Sequence, residues 1–423
     1  MQENAQMISG EEYPVIETLP ANVLVGRQPI FNQDLHIHAY ELLFRGDINK
    51  SSADVEDGDF ATSQLILNTF LEIGPETIVG DKPAYINLTR NFILDDHILA
   101  IDKNRVVIEI LEDVEVDLAL INRVRHLSSL GYVIALDDFV YDSKYDTLIQ
   151  HVDIIKIDIM GMNEDELRQE VDRLKKYDVK LLAEKIETPK EFELCKSLGI
   201  DYYQGYFLSK PTIVKGNRIP TNRMSILNLM RLLYEENLDI ARIEDCIVKD
   251  VSLSYRLLKN INSSYYGLKT RIESVNHALI LLGIDNIRQW VTMIAMARLN
   301  DKPSVLITSS LIRAKMCENL AKSAHRENYN TYFTVGLFSN LDVLLDTDMQ
   351  GLLEEMPLAA PIKDALLARE GELGESLQCA IDYEHGSWDS IEKYAMDNDR
   401  ITCAYLNALN WASQTMRELE LTE

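Results

Sequence analysis

The chain has 423 residues, which is longer than one compact core usually allows, so two domains of ordinary size are expected. Hydrophobic residues make up 46% of the chain and charged residues 26%, a globular composition that excludes a largely disordered protein. The 68 acidic and 42 basic residues give a formal net charge of −26, which repels polyphosphate and argues against general nucleic-acid binding.

The cysteines and the lengths of the apolar runs indicate in which cellular compartment the protein is expected. The five cysteines are dispersed without a CxxC pair, which predicts neither a disulfide framework nor a structural zinc site, and suggests inert thiols in a reducing cytoplasm. No apolar run approaches the length that spans a bilayer, so no membrane span is expected. The start of the chain is polar and acidic, unlike a signal peptide, and residues 1–22 are expected to form a flexible tail.

Short β-rich runs alternate with amphipathic stretches over residues 23–213, which is typical of βα units and a parallel sheet. The clearest runs are 84–88, 106–111, 132–136, 154–159 and 180–186, and helices are expected at 118–130 and 164–176. About seven or eight such units favour a closed TIM-like (β/α) barrel over an open sheet. No Gly-rich phosphate loop follows the first run, which argues against a dinucleotide-binding sheet.

The pattern changes at residues 214–221, where a glycine and a proline follow Pro211 closely and predict a linker. Beyond this linker the apolar residues recur at helical spacing, as at Ile226, Leu229 and Leu233. Residues 222–415 are therefore expected to form an all-α domain, and the fold class is α/β plus all-α.

Polar residues stand at the ends of the expected strands and are the most informative feature of the chain. In chain order they are Glu41, Asn87, Glu109, Asp137, Asp138, Lys156, Asp158, Glu184, Glu187 and Gln204. Burying such charges singly is costly, so isolated burial is a poor explanation. Since the active sites of (β/α) barrels lie at the carboxyl ends of the strands, we expect these side chains to converge at one mouth.

Carboxylate and amide oxygens at this mouth predict a site for Mg²⁺ or Mn²⁺ rather than zinc. The adjacent carboxylates of Asp137 and Asp138 can serve two neighbouring cations, which together clamp a phosphodiester. Lys156 is expected to orient the attacking water or to stabilise developing negative charge. A salt bridge or a helix cap explains any one of these residues alone, but explains the whole series poorly.

In order, residue type and strand placement, the motif series over about residues 23–213 resembles the EAL domain. It comprises Gln28-Pro29-Ile30, Glu41-Leu42-Leu43-Phe44-Arg45, Asn87, Glu109, Asp137-Asp138-Phe139, Lys156-Ile157-Asp158, Ala183-Glu184-Lys185-Ile186-Glu187 and Gln204-Gly205-Tyr206 with Pro211. That family hydrolyses cyclic di-GMP to the linear dinucleotide pGpG with Mg²⁺ or Mn²⁺. The resemblance implies the same substrate and cofactor for this chain.

The resemblance also implies a role for each residue. Glu41, Asn87, Glu109 and Asp137 would bind a first metal ion, and Asp137, Asp138 and Glu184 a second. Lys156 would place the water, so the catalytic set is Lys156, Asp138 and Glu184. Gln28, Arg45 and Gln204 would contact the substrate, Arg45 at a phosphate, while Asp158 and Glu187 would support the site, Glu187 through the loop after the Asp-Asp pair.

Two departures from the family pattern bear on activity. Glu41-Leu42-Leu43 replaces Glu-Ala-Leu, which adds bulk but removes no chemistry. Catalytic members follow Asp-Asp-Phe with a Gly-x-Gly-x-Ser-Ser loop, whereas here the residues at 140–145 are Val-Tyr-Asp-Ser-Lys-Tyr. The lost glycines remove backbone freedom, and Asp142 adds a negative charge near the site. Whether the barrel is an active enzyme therefore stays open at the level of the sequence.

The helical half, about residues 221–410, resembles the HDOD domain, a relative of metal-dependent HD hydrolases. The resembling segments are 247–258, 261–262, 272–278 and 282–283. HD enzymes carry a His-Asp pair after a Gly-Leu-Leu-type turn, but Ser339 and Asn340 stand at that place and no His-Asp dipeptide occurs in the chain. The resemblance implies a non-catalytic module that binds an unidentified protein or regulates the barrel; a purely stabilising domain is the alternative.

Three hypotheses follow. The favoured one is a cytoplasmic Mg²⁺/Mn²⁺-dependent cyclic di-GMP phosphodiesterase regulated by its helical domain. The second is a catalytically inactive barrel that senses cyclic di-GMP or acts as a protein scaffold, and the third is an unrelated barrel enzyme of phosphate chemistry. The sequence leaves open whether the chain forms a homodimer. It also does not select among the family's usual outputs, which are motility, biofilm formation and attachment.

Overall fold

The computed structural model describes residues 23–46, 73–112, 114–139, 141–205, 221–235, 240–249, 254–255, 257–258, 272, 274–297, 304–345, 347–391 and 393–419. The chain divides into two compact units. We call Leu19–Thr212 with Asp382–Thr402 the barrel unit, and Met1–Thr18, Ile213–Ile381 and Cys403–Glu423 the helical unit.

Eight strands close into a barrel in the order of the sequence, which confirms the predicted TIM-like architecture. They are β1 Val23–Phe31, β2 Ile37–Gly46, β3 Ala84–Leu88, β4 Val106–Ile110, β5 Val133–Leu136, β6 Ile154–Asp158, β7 Lys180–Glu184 and β8 Tyr202–Tyr203. The prediction of an all-parallel sheet is wrong for β1, which runs antiparallel to both of its neighbours. A tight turn between Asn32 and His36 is the reason, because a parallel neighbour needs a long crossover connection.

Helices connect the strands of the barrel. They are α1 Pro75–Val79, α2 Arg90–Leu94, α3 Leu118–Ser129, α4 Asp146–Ile149, α5 Glu164–Leu174 and α6 Pro189–Ser197, with 3₁₀ turns at Asp96–Ala100 and Ser143–Tyr145. The predicted helices at 118–130 and 164–176 are confirmed as α3 and α5. Capping boxes begin α5 at Asn163 and α6 at Thr188. These caps satisfy the first backbone N–H groups and fix where each loop from the mouth ends.

Side chains fill the barrel interior in layers. One layer is apolar and takes one residue from each strand: Ile30, Ala39, Tyr85, Val107, Ala135, Ile154, Leu182 and Tyr202. Because side chains alternate between the two faces of a strand, the residue two positions nearer the mouth also faces inward. The chemistry of the mouth is therefore set by the residues two positions along from this apolar layer.

The described residues of the chain from 221 onward contain helices and no strand, which confirms the all-α prediction. The helices are α7 Thr221–Leu233, α8 Ile240–Lys249, α9 Val275–Met296, α10 Ser304–Ser323, α11 Tyr329–Phe338, α12 Leu341–Leu345, α13 Met349–Glu355, α14 Ala360–Ala368, α15 Gly371–Glu384, α16 Trp388–Ile391 and α17 Asn398–Glu418. A Cβ at Gly336 would lie 2.4 Å from the Arg313 carbonyl oxygen, so glycine allows α11 to cross α10 backbone to backbone. Among the described helices, none combines the length and apolar character that a membrane crossing requires.

A late segment of the chain, residues 382–402, belongs to the barrel unit. The Val25 backbone N–H donates to the Tyr383 hydroxyl at 3.2 Å, and that hydroxyl donates to Thr402 Oγ1 at 2.9 Å. Trp388 packs over Gly26, where a Cβ would lie 2.9 Å from its ring. The segment thus covers the mouth-side end of β1.

Candidate active site at the barrel mouth

A ring of eight polar side chains lines the barrel one layer above the apolar layer. Its members are Gln28, Glu41, Asn87, Glu109, Asp137, Lys156, Glu184 and Gln204, each two residues from the apolar-layer residue of the same strand. We call this set the polar ring. All eight were singled out in the sequence, and the alternation of strand side chains brings them together.

Lys156 stands among four carboxylates of the polar ring. Its Nζ lies 2.7 Å from Glu109 Oε1, 2.6 Å from Asp137 Oδ1, 2.7 Å from Glu184 Oε1 and 3.5 Å from Glu41 Oε1. Lys156 and Glu109 are fully buried, so water does not offset their charges. One ammonium compensates only one of four carboxylates, and the desolvated cluster favours a further positive charge.

The protonation of this cluster reflects its burial. Burial raises the pKa of Glu184 to about 8 and the pKa of Glu109 well above its usual range, while Lys156 opposes both changes. Burial also disfavours the Lys156 ammonium, but the surrounding carboxylates, Glu109 first, raise the lysine pKa well above its usual value. A divalent cation would therefore displace protons from the carboxylates when it binds.

Four buried oxygen atoms at the mouth have no hydrogen-bond partner among the described residues. They are Asn87 Oδ1, Glu109 Oε2, Asp138 Oδ1 and Gln204 Oε1. Such atoms are rare in folded proteins, and an ion is one of the few groups that satisfies them. Asp137, Asp138 and Glu184 also each offer one oxygen within 4.8 Å of the others. This all-oxygen donor set fits Mg²⁺ or Mn²⁺.

The backbone explains how two consecutive aspartates face one mouth. The Asp137 N–H donates to the Ile110 carbonyl at 2.9 Å, and the Phe139 N–H donates to the Lys156 carbonyl at 3.2 Å. Between them Asp138 adopts a left-handed φ of 42°, a conformation that is costly for a residue other than glycine. An extended strand would point the two carboxylates to opposite faces, and this turn prevents that.

The remaining sequence candidates occupy the edge of the site. Gln204 Nε2 donates to Glu41 Oε2 at 2.6 Å and to Gln28 Oε1 at 2.8 Å, so it orients a metal-binding candidate. Asp158 accepts from the Met160 N–H at 2.8 Å. The Glu187 side chain is exposed, and its backbone N–H donates to Glu191. The Arg45 side chain lies outside the described residues.

Two residues, one at the mouth and one in the layer below it, are not predicted by the sequence pattern. Lys185, with a left-handed φ of 57°, places Nζ 2.5 Å from Asp158 Oδ2 and 3.6 Å from Asp138 Oδ2. Tyr85 is fully buried below Asn87, and its hydroxyl has no partner among the described residues. The alternation that points Asn87 inward also points Tyr85 inward, which was the available signal; Lys185 gave none beyond its place beside Glu184.

The loop after the Asp-Asp pair has a defined form where it is described. Residues Ser143–Tyr145 make a 3₁₀ turn, and the Asp142 carboxylate caps it by accepting from the Lys144 N–H at 3.1 Å. Asp142 is exposed and lies 3.5 Å from Lys144 Nζ, so its charge faces solvent and a cation. Val140 lies outside the described residues.

The helical unit carries a different polar cluster at Ser339 and Asn340. The buried Arg313 guanidinium donates to Asn340 Oδ1 at 3.0 Å and to Ser339 Oγ at 3.4 Å. Asn340 Nδ2 in turn donates to Ser310 Oγ at 3.2 Å. The described part of this unit contains no group of three His, Cys, Asp or Glu side chains close enough to share an ion.

Comparisons with known proteins match both halves of the chain. Residues 48–211 match the EAL domain and residues 219–360 the HDOD domain. YuxH of Bacillus subtilis (strain 168) is 35% identical over 405 residues, which cover 93% of this chain and 99% of YuxH. The cyclic di-GMP phosphodiesterase CdgJ of Vibrio cholerae serotype O1 is 33% identical over 401 residues, 93% of each chain. The probable cyclic di-GMP phosphodiesterase PdeG of Escherichia coli (strain K12) is 31% identical over 144 residues, 31% of this chain and 27% of PdeG.

Proposed function

Because the chain belongs to the EAL-domain cyclic di-GMP phosphodiesterase family and carries an HDOD domain after its barrel, we propose that it hydrolyses cyclic di-GMP to pGpG with Mg²⁺ or Mn²⁺. The observation that carries the proposal is the excess of buried acceptors at the mouth: four carboxylates around one lysine, with Asn87, Glu109 and Asp138 each keeping an unpartnered oxygen. CdgJ, which aligns over 93% of this chain, supports the choice of substrate.

The proposed metal sets share one residue. Glu41, Asn87, Glu109 and Asp137 hold a first ion, and Asp137, Asp138 and Glu184 hold a second. Ions held by these residues would supply Lewis-acid chemistry that polarises the phosphodiester and favours hydroxide as the nucleophile at neutral pH. Glu109 and Glu184 give up the protons that their raised pKa values retain in the metal-free protein.

Lys156 and the glutamines act on the substrate side of the same reaction. The carboxylates keep the pKa of Lys156 high, so it serves as an ammonium donor to the attacking water or to the developing charge on phosphate oxygens, and not as a base. Gln204 fixes Glu41, and Gln28 contacts the substrate at the rim. Arg45 follows on β2, where a guanidinium fork suits a phosphate.

The helical unit is proposed to be a non-catalytic module of a cytoplasmic protein, binding an unidentified protein partner or controlling the barrel. Its support is the Arg313 cluster, in which a buried guanidinium contacts Ser339 and Asn340 where HD hydrolases would carry their His-Asp pair. A positive charge at this place disfavours a metal ion.

An inactive barrel that senses cyclic di-GMP is the second candidate function. The observation in its favour is the loop at 140–145, which lacks the glycines of catalytic members. The anchored form of residues 141–145 weighs against it, since glycine is not the only way to hold a loop.

The test is to incubate the purified full chain with cyclic di-GMP and Mn²⁺ and to separate the products by chromatography. We expect pGpG, loss of product in EDTA, and loss of product in Glu41→Ala. Glu193→Ala, which removes an exposed carboxylate from α6, is the matched control and should act as wild type. Binding without turnover would support the sensor, and neither binding nor turnover would leave a scaffold.

A further inference from the structure

The loop that follows Asp137 and Asp138 is tied to helix α5 by a buried carboxylate. The Tyr141 backbone N–H donates to Glu170 Oε1 at 3.1 Å. Glu170 is only 7% exposed, and its other oxygen accepts from Arg173 Nη1 at 3.2 Å. A carboxylate that accepts a backbone N–H in a buried place makes a strong, charge-assisted bond. Tyr141 lies three residues after Asp138, so this bond fixes the loop close to the site.

A second carboxylate holds the same loop from its far end. Asp146 Oδ1 accepts from the Tyr141 hydroxyl at 3.0 Å and from the Tyr177 hydroxyl at 2.7 Å. The rings of Tyr141 and Tyr177 lie 6.5 Å apart, and Tyr177 belongs to the segment between α5 and β7. The Phe139 ring meets the Tyr145 ring edge-on at 5.4 Å. The side chains at positions 139, 141 and 145 therefore hold the loop through ring packing and hydrogen bonds, contacts that glycine cannot make because it has no side chain.

The backbone of Asp138 is strained, so contacts on both sides of it are needed to hold its conformation. A left-handed aspartate persists only where the surrounding structure enforces it. On one side the Asp137 N–H is bonded to the end of β4, and on the other the Phe139 N–H is bonded to β6. The chain beyond Phe139 needs its own anchor, and among the described residues the backbone bond that holds it is the part-buried one from Tyr141 to Glu170.

We propose that Glu170 and Asp146 are positioning residues that hold residues 141–145 and thereby keep Asp137 and Asp138 in place for the metal ions. This inference rests on the proposed function of the mouth, and it explains how the chain dispenses with the loop glycines. Glu170 does not touch the metal-binding oxygens; it acts through the backbone of Tyr141. A role confined to stability is the competing explanation, since Glu170 also pairs with Arg173.

The experiment compares Glu170→Ala with Glu170→Gln in the full chain, because a glutamine oxygen still accepts the Tyr141 N–H. Mn²⁺ binding is measured by calorimetry, and exchange of the Tyr141 amide is measured by hydrogen–deuterium exchange. We expect Glu170→Ala to weaken Mn²⁺ binding by about 10–100-fold, the usual effect of losing a group that orients metal ligands. The Tyr141 amide should exchange faster in this variant, and Glu170→Gln should restore both properties.

Glu164→Ala is the matched control, since it removes an exposed carboxylate of α5 that pairs with Arg168 within the helix. It should leave Mn²⁺ binding unchanged. If Glu170→Ala does not fold, Tyr177→Phe removes one hydroxyl from Asp146 and should still weaken Mn²⁺ binding, by less. Unchanged Mn²⁺ binding in a folded Glu170→Ala variant would overturn the proposal, as would equal losses in the alanine and glutamine variants.

Measuring the release of pGpG distinguishes a failure of the positioning role of Glu170 from a failure of the proposed phosphodiesterase reaction. A wild-type chain that binds Mn²⁺ but releases no pGpG contradicts the proposed reaction and leaves the role of Glu170 testable by metal binding and amide exchange. A wild-type chain that hydrolyses cyclic di-GMP while Glu170→Ala retains full Mn²⁺ binding and full activity contradicts only the positioning role.

Discussion

The polar ring of the barrel and the Arg313 cluster of the helical unit are both buried, but they differ in the balance of donors and acceptors. At the mouth one ammonium faces four carboxylates, and further oxygens keep no partner among the described residues. At the second cluster Arg313 donates to Asn340, Asn340 donates to Ser310, and Ser310 donates to the Leu306 carbonyl. An excess of buried acceptors indicates a cation site, whereas a chain of matched partners indicates a structural network.

Both domains have metal-dependent relatives, but they differ in the charge that surrounds their buried polar clusters. In the described part of the barrel one ammonium meets four carboxylates, whereas the described part of the helical unit carries a buried cation in Arg313. Substitutions that remove one cation from each place should therefore respond differently to added metal.

The largest difference is expected between Lys156→Met and Arg313→Met, both in lost stability and in how much of it Mn²⁺ restores. Without Lys156 the four carboxylates lose the cation that pairs with all of them in the described part of the barrel, and we expect a loss of about 3–5 kcal/mol in the metal-free protein. Removing Arg313 takes away the donor to Asn340 Oδ1 and Ser339 Oγ, with an expected loss of about 1–3 kcal/mol. Thermal unfolding in EDTA measures both losses. Added Mn²⁺ should recover much of the loss in Lys156→Met and none in Arg313→Met.

Equal recovery of both variants by Mn²⁺ would remove the distinction between the two clusters. So would a Lys156→Met variant that is as stable as wild type in EDTA.

The next contrast concerns metal binding itself. Mn²⁺ at 100 times its dissociation constant should stabilise the wild-type chain by about 2.7 kcal/mol. Asp137→Asn should lose most of this gain, because Asp137 belongs to both proposed metal sets. Asn340→Asp adds a carboxylate in the helical unit but should gain no Mn²⁺ stabilisation, since Arg313 already lies within hydrogen-bonding distance of this side chain. A new Mn²⁺-dependent shift in Asn340→Asp would contradict the structural interpretation of the Arg313 cluster.

Local rules made much of the barrel predictable. The rule that barrel sites lie at strand ends predicted seven of the eight members of the polar ring, and the resemblance to the EAL domain supplied Gln28. Apolar runs with polar ends predicted β3 and most of β4 to β7, and cap residues mark the start of α5. These features depend on neighbours in the sequence, which is why one sequence sufficed.

Contacts between residues that are far apart in the sequence could not be predicted from local patterns. The left-handed turn at Asp138, the bond from Tyr141 to Glu170, and the placement of residues 382–402 on β1 leave no local pattern. The parallel pattern of the later strands does not extend to β1, whose antiparallel direction follows from the short turn at Asn32–His36. The Arg313 cluster was foreseen only as an absent His-Asp pair, since the sequence does not indicate what packs against Ser339.

Two glycines, one in each unit, lie where another part of the chain packs closely against them. At Gly336 an added Cβ would meet the α10 backbone at 2.4 Å, whereas at Gly26 it would meet the end of the Trp388 ring at 2.9 Å. Backbone cannot move aside, so Gly336→Ala is expected to cost about 3 kcal/mol and Gly26→Ala about 1 kcal/mol in thermal unfolding. Trp388→Leu should recover stability in the Gly26→Ala background, which would verify that residues 382–402 pack on β1. No recovery in the double variant would contradict that contact.

The smallest effect concerns the opposite end of the barrel, where lysines replace carboxylates as the dominant neighbours. His38 stacks on Tyr202 with ring centroids 4.2 Å apart, and burial, Lys180 and Lys82 lower its pKa below 6.5. The unfolded chain therefore takes up this proton more readily than the folded one, so the stability contribution is complete above pH 6.5 and is lost as the pH falls below that value. His38→Asn should flatten this part of the stability–pH curve measured by urea denaturation in EDTA. An unchanged slope below pH 6.5 would show that groups other than His38 set it.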